Sequence, residues 1–309
     1  MKILGIGNAI VDVICKVEDD FIKKNHLTKG LMKLVSDESE FSNLLTNLKI
    51  EKTISGGSVA NSIVGLSQLG DKVGFIGKIS DDTFGIKYEE GLKKENVNFF
   101  YKKKKELLPT GTCLILITPD SERTMCTFLG TAGKISKNDL DIEAIEKSEI
   151  IFLEGYLWDE GDPKQAFEKA INLSNKTAMS LSDKFCVDRH KSNFLNLVKN
   201  KLDLVFANEA EIMSLIDAKN FDEVISFGEQ IKKHLIVTRG SKGAVSVYNN
   251  EITEVDARKD LKIVDLTGAG DLFASGYLHG FINNFSQKEC LIKATEMSSK
   301  IIQQIGARL

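Results

Sequence analysis

The feature that most constrains this chain is a rhythm that sets in near Glu149. Short apolar runs at 150–153, 178–181, 204–207, 235–238 and 244–248 mostly alternate with stretches of helical spacing. A segment apolar at every position is a strand covered on both faces. Strands that take turns with helices build a parallel sheet between two helical layers. Residues 2–7 and 73–77 read as two more buried strands, and 58–69 and 83–95 as helices, the first stopped by Gly70. Two stretches break the scheme. Residues 9–17 are rich in β-branched side chains, and 98–129 is β-rich with its clearest strand at 112–118. No linker-like composition divides the 309 residues, and no fixed-period repeat runs through them. The expectation is one α/β domain over 1–309, with a central, mostly parallel sheet and helices on both faces. A small β-sheet lid, formed by inserted segments at about 10–36 and 97–129, completes it.

The segment Asp265-Leu266-Thr267-Gly268-Ala269-Gly270-Asp271 follows a strand-like 262–264. It precedes an apolar helical stretch with Phe273, Tyr277 and Phe281 at four-residue spacing. Its glycines therefore stand where a turn feeds a helix N-terminus. Unpaired N–H groups and the helix dipole favour an anion there, and glycine lets those amides approach a phosphate closely. A carboxylate in the first turn, Asp271, is repelled by such an anion unless it has a task. Accepting the proton of an attacking hydroxyl, while the amides hold the transferring phosphoryl group, is one such task. An Asp of ordinary pKa suffices, because a loose transition state demands little prior deprotonation. The same residues also fit a plain turn and helix cap.

Other nucleotide motifs fail residue by residue. A Walker A loop needs G-x-x-x-x-G-K-[ST], but around Gly77-Lys78 the flanking positions hold Lys72 and Ile79. A dinucleotide fingerprint needs G-x-G-x-x-G opening a helix. Gly5-x-Gly7 meets Ile10 in the third place, and Gly268-x-Gly270 meets Phe273. The protein-kinase triplets H-R-D and D-F-G are absent. A net charge of -3 offers no basic surface to nucleic acid or an anionic membrane. The opening Met1 to Gly7 is too short an apolar run for a signal peptide, and no stretch approaches the roughly 18 apolar residues of a membrane span. Cys15, Cys113, Cys126, Cys186 and Cys290 are scattered and the four histidines dispersed, which speaks against a Cys/His metal site and for a reducing, cytoplasmic location. The Lys102-Lys103-Lys104-Lys105 run reads as a solvated loop.

Five signatures in order give the chain its resemblance to the ribokinase (PfkB carbohydrate kinase) family, over essentially its whole length. They are Gly7-Asn8-Ala9-Ile10-Val11-Asp12, Gly56-Gly57-Ser58-Val59-Ala60-Asn61, Asn208-Glu209-Ala210-Glu211, Thr238-Arg239-Gly240-Ser241-Lys242-Gly243 and the 265–271 segment. The resemblance implies a ribokinase-like fold and phosphoryl transfer from ATP with Mg²⁺. It implies that Asp12 and Asn61, with Asn8 and the Gly57 backbone, hold the hydroxyls of a ribose-like acceptor. Gly268, Ala269 and Gly270 would form the anion hole and Asp271 the base. Asn208 and Glu211 would orient Mg²⁺ mainly through water, as suits an ion reluctant to shed its shell. Thr238, Gly240 and Gly243, with Thr267, would line the ATP site. Asp265 and Thr267 match positions that hold a monovalent cation, K⁺, in some relatives. Asn208 and Glu211 also read as a helix cap with its capping box, Asp12 as a strand-end residue, and Asn61 as a helix cap.

The segments 123–130 and 154–158, together with Gly306-Ala307-Arg308-Leu309, resemble bacterial adenosine-kinase-like members, and the resemblance implies that Arg123 binds the substrate. Met125, Phe128 and Trp158 suit a purine wall, and equally suit the core. The expected activity is therefore phosphorylation of the 5′-hydroxymethyl of adenosine or a related nucleoside. A sugar kinase acting on ribose, fructose or 2-keto-3-deoxygluconate, and a non-catalytic nucleoside- or sugar-binding regulator, are the alternatives. The expected partners are small molecules, not nucleic acid or membrane, and the expected assembly a monomer or homodimer.

Overall fold

The computed structural model describes residues 1–46, 48–120, 122–158 and 161–309. In chain order its strands are β1 (Ile3–Ile6), β2 (Ile10–Lys16), β3 (Met32–Leu34), β4 (Ile50–Gly56), β5 (Val73–Ile76), β6 (Asn98–Phe99) and β7 (Gly111–Ile117). They continue with β8 (Arg123–Phe128), β9 (Ile150–Glu154), β10 (Thr177–Ser180), β11 (Leu204–Asn208), β12 (His234–Thr238), β13 (Ala244–Tyr248) and β14 (Glu251–Val255). Among the described residues nine strands form one sheet, in the order β14-β13-β12-β11-β10-β9-β1-β5-β6, and five form a second, in the order β3-β8-β7-β2-β4. The large sheet is parallel from β6 to β12 and antiparallel at β13 and β14.

Strand periodicity explains how one sheet serves two cores. Neighbouring residues point to opposite faces, so Ile3, Phe152 and Phe206 join one apolar cluster while Leu4, Ile151 and Val205 join the other. The first cluster lies under the helices Ser58–Gln68, Ala269–Ile282 and Gln287–Ile301. The second lies under Asp162–Leu173, Lys184–Asn200, Glu209–Ile216 and Phe221–Ile231. This is the helix-sheet-helix layering that continuous apolar strands demand. No helix among the described residues is long and apolar enough to cross a membrane.

Two local expectations change. Residues 262–264 are not a strand: Ile263 and Val264 are exposed, and the Val264 and Asp265 amides both donate to Ile302 O, at 2.8 and 3.2 Å. β14 already occupies the place beside β13. The smaller sheet takes β2, β3, β7 and β8 from the segments 10–36 and 97–129, of which residue 121 lies outside the described residues. It also recruits β4, whose polar, half-exposed Ile50–Gly56 carries no apolar run to announce it. Asn98–Phe99 instead pairs with β5 at the edge of the large sheet.

Candidate active site

Two helix N-termini meet at the heart of the molecule. Gly57 precedes Ser58–Gln68 with φ 100°, and Gly268 precedes Ala269–Ile282 with φ 79°. Both positions exclude a side chain by contact as well as by dihedral. A Cβ on Gly57 would collide with Asn8 O, and one on Gly268 would sit 2.7 Å from Ala307 Cβ. The helices are stitched together by Ser62 Oγ, which donates to Asp271 O at 2.9 Å, and Ser275 Oγ, which donates to Ser62 O at 2.8 Å.

That stitching fixes Asp271. Ser58 Oγ donates to its Oδ1 at 2.7 Å and Asn61 Nδ2 to its Oδ2 at 2.8 Å. Burial raises the Asp271 pKa above the ordinary carboxylate value, against the opposing pull of the Asn61 and Ser58 bonds and the Arg308 charge. Asp12 sits within β2 rather than at a strand end, its carboxyl lying over Gly56, where a Cβ would come 2.6 Å from Asp12 Cγ. Burial pushes Asp12 up to about 7, with Arg308 opposing and Asp271 adding to the rise. Asn61 lies inside its helix and caps nothing.

A cavity of about 910 Å³ opens over these groups. Asn8, Asp12, Gly57 and Asn61, the turn from Thr267 to Asp271, and Asn208, Glu211 and Thr238 all line it. Among the described residues no protein group accepts from the Gly268 or Gly270 amide, while the Ala269 amide donates to Leu266 O at 3.1 Å. Two of the three anticipated amides are thus available to an anion, and the Asp271 amide, likewise without an acceptor, joins them. Asn208 caps the Glu209–Ile216 helix by accepting from Glu211 N at 2.9 Å. Asn208 N and Nδ2 return bonds to the Glu211 carboxylate at 3.0 and 2.6 Å. The capping box and the cavity position coexist. Burial pushes the Glu211 carboxyl up to about 7, the Asn208 bonds opposing and the neighbouring Asp183 adding to the rise. Asp183 lines the same cavity. Two carboxyls lining one cavity suit a divalent cation held through its water shell, since both Glu211 oxygens already accept from Asn208.

Four anticipated residues lie outside the lining. Gly240 and Gly243 shape the turn from β12 to β13, with φ 58° and 87°. Arg123 and Asp265 pair with each other. Asp265 also accepts from Gly306 N at 2.8 Å, Thr267 N at 3.1 Å and Thr267 Oγ1 at 2.7 Å. Burial opposes its charge, but the Gly306 and Thr267 bonds and Arg123 together hold its pKa below the ordinary value. Both oxygens of this candidate cation ligand are therefore engaged with the protein. Of the candidate purine wall only Met125 lines the cavity. Trp158 is buried edge-on against Phe167 and Phe194, at 5.6 and 6.2 Å, and Phe128 stacks on Phe41 at 5.4 Å.

Sequence reasoning passed over Glu154. It ends β9 at 1% exposure and accepts from Asn8 N, Asn8 Nδ2 and Val59 N, each at 2.9 Å. The signal was available: a carboxylate closing an apolar run needs partners. Burial pushes it up to about 7 against those bonds. A raised carboxyl pKa favours the folded state below the unfolded value of 4.5, and this contribution fades as pH rises through about 7. Glu154→Gln should remove that pH dependence and set an amide N–H₂ against a donor, a loss of about 1–3 kcal/mol. Thermal melts at pH 5 and 8 check both: the deficit should be larger at pH 5, and an equal deficit would contradict the role.

Comparison with known proteins agrees with this geometry. The adenosine kinase from Sinorhizobium meliloti shares 34% identity and a TM-score of 0.89, over 100% of this chain and 95% of its own. A probable sugar kinase protein from Rhizobium etli CFN 42 shares 33% identity and a TM-score of 0.89, over 99% and 94%. The 5-dehydro-2-deoxygluconokinase of Mesomycoplasma hyopneumoniae (strain 232) is 25% identical over 93% of this chain and 88% of its own. With residues 27–309 matching the family throughout, the chain belongs to the pfkB family of carbohydrate kinases.

Proposed function

We propose that this kinase transfers the γ-phosphoryl group of ATP to the 5′-hydroxyl of adenosine or a related nucleoside. The observation that carries the reading is the make-up of the cavity's acceptor end. Asn8 Oδ1 and Asn61 Oδ1 are buried with no hydrogen-bond partner among the described residues, and both residues line the cavity with Asp12. Unpaired acceptors are costly unless a ligand donates to them, and vicinal ribose hydroxyls do so. Ile10, Met32, Leu34, Met125 and Leu129 line the same cavity and offer an apolar wall to a base, which a free sugar would leave bare.

In this reading the hydroxyl oxygen bonds to the γ-phosphorus as the bridging P–O bond to ADP breaks. Asp271 accepts the hydroxyl proton, and the Gly268 and Gly270 amides hold the phosphoryl oxygens. Asn208 and Glu211 would hold Mg²⁺ through water; when bound, the ion neutralises phosphate charge. The smaller sheet acts as a lid that excludes water, the competing acceptor.

ADP release from ATP·Mg²⁺ with adenosine, inosine, cytidine, ribose, fructose and 2-keto-3-deoxygluconate tests the substrate class. Adenosine-selective turnover is expected. Preferred turnover of a free sugar would overturn the nucleoside reading, and ligand binding without any turnover would point to a regulator.

A further inference from the structure

The segment Gly306–Leu309, marked in the sequence only by its resemblance to bacterial adenosine-kinase-like members, packs against the site. Arg308 is half-buried as a residue, but its guanidinium turns inward. Nη1 donates to Ala60 O at 3.2 Å and Nη2 donates to Ser55 O. Those two carbonyls bracket Gly56 and Gly57, the turn over which the Asp12 carboxyl lies. The turn is also held by Tyr88 Oη, which donates to Gly56 O at 3.2 Å. Upstream, Gly306 N donates to Asp265 Oδ2 at 2.8 Å, and Ala307 packs against Gly268. One short segment therefore touches both glycine turns of the site.

We infer that Arg308 is a positioning residue that clamps the Gly56-Gly57 turn and places a fixed positive charge between the acceptor carboxylate Asp12 and the base Asp271. The inference rests on the reading of Asp12 and Asp271 proposed above. Two buried carboxylates facing one cavity repel each other and would share a proton near neutrality without a compensating cation. Arg308 supplies that charge without titrating itself, and its planar fork reaches two carbonyls that a point charge does not. Its field opposes protonation of both Asp12 and Asp271. The groups facing it are Asp12 from β2, Asp271 from the Ala269–Ile282 helix, and Tyr88 and Glu95 from the Thr83–Lys94 helix and its C-cap. Glu154 from β9 lies close enough to feel Asp271, and Cys113 from β7 to feel Asp12.

The test compares Arg308→Gln and Arg308→Lys with the wild type, using ATP·Mg²⁺ and adenosine across pH 5 to 9. Arg308→Gln is expected to move the acid limb of kcat/KM up by about one pH unit. It should also raise the acceptor KM by about tenfold, with the ATP KM within twofold. Arg308→Lys should restore the acid limb yet keep a raised acceptor KM, because an ammonium does not span both carbonyls. Calorimetric binding of adenosine without nucleotide should show the same pH shift. An acid limb unchanged in Arg308→Gln would overturn the inference. Should that variant not fold, Arg308→Lys decides alone: an acceptor KM equal to wild type, or both KM values raised alike, overturns it. A wild type that phosphorylates no acceptor in the panel refutes the functional reading first, which separates the two failures.

Discussion

Asp271→Asn is expected to lower kcat by about 10³-fold while leaving the fold and adenosine binding nearly intact. The geometry makes the substitution a clean one. The two oxygens of Asp271 accept from Ser58 Oγ and Asn61 Nδ2. An asparagine keeps one oxygen for Asn61, and the Ser58 hydroxyl can rotate to accept from the new N–H₂. Removing a buried charge also lifts a desolvation cost, so the melting temperature should stay level or rise. What disappears is the carboxylate proposed as proton acceptor at the start of the helix. Single-turnover rates beside thermal melts check the prediction, and wild-type turnover in a folded variant would remove Asp271 from the chemistry.

The second large effect concerns the acceptor. Asp12→Ala should raise the KM for adenosine by about 100-fold, the scale of a lost hydrogen bond to a charged group, and leave the ATP KM within threefold. Asp12 lies on β2 in the smaller sheet, whereas Thr238 and Asn208 come from β12 and β11 of the large sheet. These lining residues thus rest on different sheets and should respond separately. Burial already raises Asp12 to about 7, so its loss should not destabilise the protein at pH 8. Initial rates with each substrate varied in turn decide the matter. Equal rises in both KM values would place Asp12 in the scaffold instead of the acceptor site.

How much of this was legible in the sequence follows from what each signal requires. Strands buried on both faces announce themselves because the runs 150–153 and 204–207 are apolar at every position. β4 and β14 do not, since edge strands expose half their side chains and read as polar loops. Residues 262–264 show the converse: a strand-like composition whose following amides bond to Ile302 O instead of joining a sheet. The glycine turns were legible because their φ values and close contacts tolerate no other residue. Asp12, Asn61 and Asp271 could be named by resemblance, but their meeting depends on packing across more than 200 residues of sequence. Glu154 and Arg308 lie in segments marked by resemblance, but the segments assign neither residue a role. Their importance lies in which distant backbone groups they bond, and no spacing rule encodes that. Trp158 could serve a ligand or the core by composition alone, and Phe167 and Phe194 decide for the core.

The most direct test of the central claim is to locate the transferred phosphate. Adenosine and ATP·Mg²⁺ would be incubated with the enzyme and the product read by phosphorus NMR with coupling to the sugar protons. The account predicts a monoester coupled to the two 5′-methylene protons, formed in step with ADP. Phosphate on a 2′- or 3′-oxygen, or ADP formed with free phosphate and unaltered adenosine, would contradict it.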